Sequence, residues 1–196
     1  DVMHGYTLLA SETLDQLAES ERPTHIFLQA GVGGMAAAVL AGFWLTMGAE
    51  RPVAILAEPD KAACCYLSIQ AGEPTVAPGD LDSMMAGLAC GEVSLLAWDV
   101  LKAGAQAAVS MGDQTAFDCM RLLADGCCGD APIVAGESAV AGLAALVGLM
   151  QNDKTREQLM LNRHSRVLVI GTEGDTDPDL FQEIIGRSAE AVRGCA

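Results

Sequence analysis

The 196-residue sequence predicts an α/β fold, a parallel sheet with helices on both faces, on three observations. Short apolar strands alternate with helix-length segments, the order that strand–helix–strand crossovers require. The strands are apolar throughout rather than at every second position, which is the pattern of strands buried on both faces. A glycine-rich turn, Gly31-Val32-Gly33-Gly34, joins one strand to an apolar helix, and open parallel sheets bind ligands at that end of a strand.

From the N-terminus, Leu9, Thr13, Leu14 and Leu17 recur at helical spacing over residues 7–20, and Arg22-Pro23 stops the helix. A strand at 25–29 leads through the glycine turn into a helix that runs to about Gly48. Residues 52–57 form the next apolar strand, ending at Glu58-Pro59, and a helix continues to Ala71-Gly72. Pro74 and Pro78 mark 72–79 as loop, and 81–91 carries no clear period. A helix at 92–103, a strand at 106–110 and a helix at 114–124 come next, then a brief extended piece at 131–134. Helices at 136–150 and 153–160 precede a strand at 166–170, a polar turn at 171–178 and a final helix from 179 to about 192.

Composition narrows the function. Lys and Arg number 11 against 26 Asp and Glu, a formal net charge of −15, which argues against nucleic-acid or anionic-membrane partners. No apolar run reaches the roughly 18–20 residues of a membrane span; the longest, near 135–150, is interrupted by Glu137 and Ser138. The seven cysteines, Cys64, Cys65, Cys90, Cys119, Cys127, Cys128 and Cys195, offer no C-x-x-C spacing, so zinc is not expected. They read as reduced, small core hydrophobes in a cytoplasmic protein. With no initiator methionine ahead of Asp1, the chain is expected to be part of a longer protein.

The stretch 25–39 organises the rest. If a helix begins at about Gly34, amides without an intrahelical partner face the turn, and the helix dipole adds partial positive charge. An anion fits there, because glycine lets its oxygens approach the backbone where a Cβ would intrude. The pattern matches neither G-x-G-x-x-G nor G-x-x-x-x-G-K-[ST], so the nucleotide fingerprints do not apply. The same glycines equally serve a turn between packed elements that holds no ligand, and on this stretch alone both readings stand.

Four segments carry a family resemblance: Ala30-Gly31-Val32-Gly33-Gly34-Met35, Leu56-Ala57-Glu58-Pro59, Gly136-Glu137-Ser138-Ala139-Val140-Ala141-Gly142 and Gly171-Thr172-Glu173-Gly174-Asp175-Thr176-Asp177. In this order they resemble the fold-type II pyridoxal-phosphate enzymes, the family of tryptophan synthase β, threonine dehydratase and serine racemase. Residues 84–94 and 172–178 look most like its diaminopropionate ammonia-lyase branch. The resemblance spans about Gly5 to Pro178 and implies that residues 1–196 are a C-terminal, cofactor-cradling portion of a lyase.

Pyridoxal 5'-phosphate is the cofactor so implied. Its phosphate would be held by the amides of Gly31, Val32, Gly33, Gly34 and Met35, and its ring nitrogen would meet the Thr172 hydroxyl. A hydroxyl donates to a neutral nitrogen and leaves a weaker electron sink than a carboxylate partner would. That suffices for β-elimination, in which the leaving group takes the electrons. Thr172 also reads as a turn residue bonding its own loop. Glu137 reads as a first-turn carboxylate at a helix dipole; the resemblance implies a place near the cofactor.

No metal is expected. In serine-racemase-like members, the glutamate at the Glu58 position joins a backbone carbonyl and an aspartate six residues on. Here the sixth residue is Cys64, a poor ligand for hard cations. Asp175 and Asp177 could meet a cation but read better as an Asx-rich turn capping the last helix, and Met35 and the other methionines read as packing. His4, His25 and His164 show no catalytic or metal spacing.

The family's Schiff-base lysine and its substrate-carboxylate loop belong to an N-terminal region expected to lie outside these residues. None of Lys61, Lys102 and Lys154 stands in a matching context, and all three read as solvated, so no catalytic residue is assigned. The implied reaction of the parent is α,β-elimination of ammonia from 2,3-diaminopropionate, then hydrolysis to pyruvate and a second ammonia. The implied partners are a small amino-acid substrate and a second copy in a homodimer. A serine or threonine dehydratase of the same family, and a non-catalytic binding or oligomerisation module, are the alternatives.

Overall fold

In the computed structural model, which describes residues 2–126 and 129–194, four parallel strands form one sheet. They are β1 (His25–Gln29), β2 (Val53–Pro59), β3 (Ala107–Met111) and β4 (Val167–Val169), in the order β3-β2-β1-β4. His25 lies opposite Val53 on one side of β1 and opposite Val167 on the other. Cys127, Cys128 and Cys195 fall outside the described residues; the other four cysteines are free thiols.

Side chains alternate across a strand, and here both faces are covered. Ile26, Leu28, Ala54 and Leu56 pack under α1 (Val2–Gln16), α2 (Gly34–Met47), α3 (Cys64–Ala71) and α4 (Leu95–Gly104). Phe27, Ile55 and Ala57 face the other core, built from α5 (Asp113–Asp125), α6 (Ala141–Met150), the residues after α7 (Asp153–Gln158), α8 (Pro178–Ile185) and α9 (Ala189–Arg193). Each fully buried large apolar side chain in these layers stabilises the fold by about 1.5–3 kcal/mol.

The winding places the site. From β1 the chain steps outward to β2 and β3 through α2–α4 on one face. It then crosses the opposite face through α5–α7 and returns to the far side of β1 as β4. The crevice between β1 and β4 is thus the point where strand order reverses, and ligands of doubly wound sheets bind there.

The predicted architecture is present, with local differences that have identifiable causes. The first helix covers Val2–Gln16 rather than 7–20; after it a single tight turn forms, in which Ala18 N donates to Glu21 Oε2 at 3.2 Å. The helix docks on α2, where Gly42 leaves room for Ala10: a Cβ there would stand 2.5 Å from that of Ala10. The helix expected at 92–103 begins at Leu95, because Ser94 is its N-cap and its amide is held by Val32 O at 2.9 Å. The helix expected at 136–150 begins at Ala141; Ser138 N donates to Glu173 Oε2 instead, at 2.9 Å.

The piece at 131–134 is not a strand; Ile133 N caps back onto Leu123 O at 2.9 Å. The last helix is two, broken at Gly186 with φ +81° and restarted by the N-cap Ser188. β4 is three residues long at the sheet edge, shorter than the predicted 166–170.

Candidate functional site

The glycine turn lies directly after β1. Gly33 is the N-cap of α2 in the left-handed region, φ +84°, which glycine adopts without steric cost. The first helical bond runs from Ala37 N to Gly33 O at 2.9 Å, so the amides of Gly34 and Met35 precede it at the open, positive end of the helix. From behind, the thiols of Cys64 and Cys65 donate to Gly31 O at 3.4 and 3.6 Å.

The need for glycine differs from the one the sequence implied. A Cβ on Gly31 would stand 3.0 Å from Cys90 Sγ, and one on Gly33 would stand 2.7 Å from Leu101 Cδ1. These neighbours are protein side chains packed about the turn. Tight backing and a positive φ, in addition to ligand access, therefore select glycine here.

In front of the turn lies a cleft of about 500 Å³. All the sequence-predicted site residues, Gly31, Val32, Gly33, Gly34, Met35 and Thr172, line it. Thr172 comes just after β4, and its Oγ1 accepts a hydrogen bond from Gln29 Nε2 at 3.2 Å. The same Nε2 donates to Ile170 O at 2.6 Å, so a side chain continues the β1–β4 pairing past the last backbone bridge. Gln29 Oε1 is buried without a hydrogen-bond partner among the described residues.

Gln29, Cys90, Ser94 and Tyr6 also line the cleft, and sequence reasoning does not single them out. One has a visible signal: Gln29 is the polar residue that follows the apolar run Ile26-Phe27-Leu28 at the carboxyl end of β1, and a buried amide needs partners. Ser94 begins α4, yet its hydroxyl makes no capping bond, which leaves it beside the turn. Tyr6 comes from α1, whose place over the cleft depends on tertiary packing.

Other candidates lie elsewhere. Glu137 is buried but is not among the cleft-lining residues; burial raises its pKa, helped by the nearby charges of Glu173 and Asp177. Asp177 caps α8 through Leu180 N at 3.0 Å, as the turn reading required, whereas Asp175 pairs with Arg193. His25 is a satisfied core histidine, with Nε2 donating to Leu159 O at 2.8 Å. Lys61, Lys102 and Lys154 are exposed and absent from the cleft lining.

A carboxylate oxygen of Glu58 and the thiols of Cys64 and Cys65 lie within 4.8 Å of one another, all buried, a cluster of which sequence spacing singles out only Glu58 and Cys64. Each is already engaged. The Glu58 carboxyl accepts from Cys65 N at 2.8 Å and Tyr66 N at 2.6 Å, and both thiols serve Gly31 O. Burial pushes Glu58 up to about 7, the two amide bonds opposing it. The Cys65 thiol is pushed far up, by its bond with Cys64 and by burial. A metal here would have to displace these protons inside the core.

The glycine turn at the end of β1 and Thr172, just after β4, thus line one cleft. The chain matches the profile of the pyridoxal-phosphate-dependent enzymes over residues 1–173 and belongs to that family. It is 40% identical over 195 residues to diaminopropionate ammonia-lyase of Escherichia coli K12, covering 97% of this chain and 49% of the relative. The enzyme of Salmonella typhimurium is 40% identical over 198 residues, covering 96% and 49%. The chain spans about half the length of the curated relatives it matches.

Among solved structures, holo diaminopropionate ammonia-lyase from E. coli superposes with a TM-score of 0.85 at 38% identity, covering 94% of this chain and 47% of that one. Serine racemase from Dictyostelium discoideum, at 19% identity and a TM-score of 0.72 over 90% of this chain and 51% of that one, shares the fold.

Proposed function

We propose that this chain is the cofactor-cradling portion of a pyridoxal-phosphate-dependent ammonia-lyase that converts 2,3-diaminopropionate to pyruvate and ammonia by α,β-elimination. The observation that carries the reading is the shared cleft: the open amides of α2 and the Thr172 hydroxyl face one space at the β1–β4 crevice. The residues fit the cofactor. The amides of Gly31 to Met35 bind the phosphate, aided by the Ser94 hydroxyl and the dipole of α2. Thr172 donates to the ring nitrogen, and no carboxylate is among the described lining residues to compete for that place. When bound, the cofactor supplies an electron sink for the substrate's α-carbon; the chain's own residues bind and orient it and keep its ring nitrogen neutral.

The 40% identity to diaminopropionate ammonia-lyases supports this substrate over serine or threonine. The parent is proposed to work as a cytoplasmic homodimer; among the described residues no helix is long and apolar enough to cross a membrane. The reading is tested by titrating the chain with pyridoxal 5'-phosphate. Thr172→Ala, which removes one hydrogen bond, is expected to weaken binding by about 0.5–1.5 kcal/mol. An unchanged affinity would remove Thr172 from the site.

The chain's lysines predict a further result. All three are exposed and away from the cleft, whereas cofactor exchange with substrate needs an amine held at the aldehyde carbon. The 196 residues with added cofactor are therefore expected to release pyruvate from 2,3-diaminopropionate no faster than cofactor alone. A rate well above that control, lost on substituting Lys61, Lys102 or Lys154, would place the reactive amine in this chain.

A further inference from the structure

We infer that Gln29 is a positioning residue that fixes the direction of the Thr172 hydroxyl proton, so that the cleft favours an unprotonated ring nitrogen. The inference rests on the proposed placement of that nitrogen at Thr172 and adds what enforces its protonation state.

Donors and acceptors decide the matter. Ile170 O can only accept, so the nitrogen end of the Gln29 amide must face it, at 2.6 Å. That contact settles the amide orientation, which an isolated side chain would leave open. The same NH₂ group stands 3.2 Å from Thr172 Oγ1, so the hydroxyl oxygen accepts there. A hydroxyl carries one proton, and that proton must point to a different acceptor. Thr172 lines the cleft, and no hydrogen bond from its hydroxyl to an acceptor is made among the described residues. The proton is therefore free for a ligand, and a pyridine nitrogen accepts it only when unprotonated.

The surroundings do not oppose this. Tyr6 and Cys90 are the titratable groups among the described lining residues. Glu173, next in the chain to Thr172, has its carboxylate turned to Ser138 N at 2.9 Å. Gln29 itself is 3% exposed, so water cannot readily replace its amide as donor. Its Oε1, buried and without a hydrogen-bond partner among the described residues, adds an acceptor that the neutral amide keeps uncharged. A glutamate in its place would offer no donor once ionised. The Thr172 hydroxyl would then turn toward the carboxylate and present a lone pair to the ring, which favours a protonated nitrogen.

The test uses the full 196-residue chain and ring-¹⁵N-labelled pyridoxine 5'-phosphate, which has no aldehyde and cannot react with the surface lysines. Binding is monitored by the phosphorus resonance and ring protonation by the nitrogen resonance against pH. In the parent chain the bound ring nitrogen is expected to protonate at least tenfold less readily than in the free ligand. Gln29→Met, of similar length without a donor, should erase that difference, and Gln29→Glu should reverse its sign. Thr172→Ser should preserve it. In a Thr172→Val background, Gln29→Met should change nothing further, because coupled groups act non-additively.

A Gln29 that merely ties β1 to the loop after β4 would alter affinity or melting temperature and leave ring protonation where it was. Bound ligand with an unaltered nitrogen equilibrium in either folded Gln29 variant overturns the inference. Failure of the phosphorus resonance to respond in the parent chain instead overturns the reading of the cleft on which it rests.

Discussion

Glu58→Gln is expected to make the protein more stable than the parent at neutral pH and to leave it unimproved in acid. Glu58 is fully buried at the end of β2, where burial raises its pKa from an ordinary 4.5 to about 7. A carboxyl raised in the folded state binds its proton more tightly there than in the unfolded chain. Its contribution is thus fully present below pH 4.5 and is lost as pH rises through about 7. The interval corresponds to about 3 kcal/mol. An amide of the same shape has no proton to lose, but its single oxygen can accept from only one of the Cys65 and Tyr66 amides, which the carboxyl meets with separate oxygens, so the gain is smaller than that interval. Denaturant unfolding of both proteins from pH 4 to pH 8 reads the difference. Parallel pH profiles would mean that Glu58 ionises in place at little cost.

Gly33→Asp is expected to abolish cofactor binding, weakening it far more than tenfold. Three effects combine there. The αL conformation at φ +84° disfavours most side chains, though aspartate tolerates it better than others. The new Cβ would meet the end of the Leu101 side chain at 2.7 Å, which a flexible leucine relieves in part. The charge decides the outcome: a carboxylate would occupy the positive end of α2, where anions gain up to about 2 kcal/mol, and would repel the phosphate. Gly33→Ala separates the causes, since it carries the strain and the Cβ without the charge. If both variants bind equally well, the anion site lies elsewhere.

The parts of this architecture that can be read from residues are those set by local pattern. The apolar runs at β1 and β2, central in the sheet, announce strands buried on both faces, and the glycines after β1 announce a tight turn into a helix. Periodicity misplaces helix starts where a tertiary contact overrules it. Leu95 begins α4 because Val32 O holds Ser94, and residues 136–140 stay in a turn because Glu173 captures Ser138 N. Neither partner is near in sequence.

The site divides in the same way. Gly31 to Met35 carry a local signature and Thr172 stands out through a family resemblance, whereas Tyr6, Cys90 and Ser94 enter through packing of α1, the 81–91 loop and α4. Gln29 is legible as an oddity, an amide that follows an apolar run, but its role needs the position of Ile170, 141 residues away.

That separation also bears on how the molecule is made. The two sides of the cleft meet only after α5, α6 and α7 have crossed the sheet and a three-residue edge strand has docked on β1. Closing so long a loop is entropically slow compared with local pairing, so β1, β2 and the turn can assemble while the cleft is still half a cleft. A ligand that touches both sides binds only the finished arrangement and, by mass action, holds β4 in place. A cofactor held by both the glycine turn and Thr172 would in this sense brace the chain at the same seam that the Gln29 side chain already bridges.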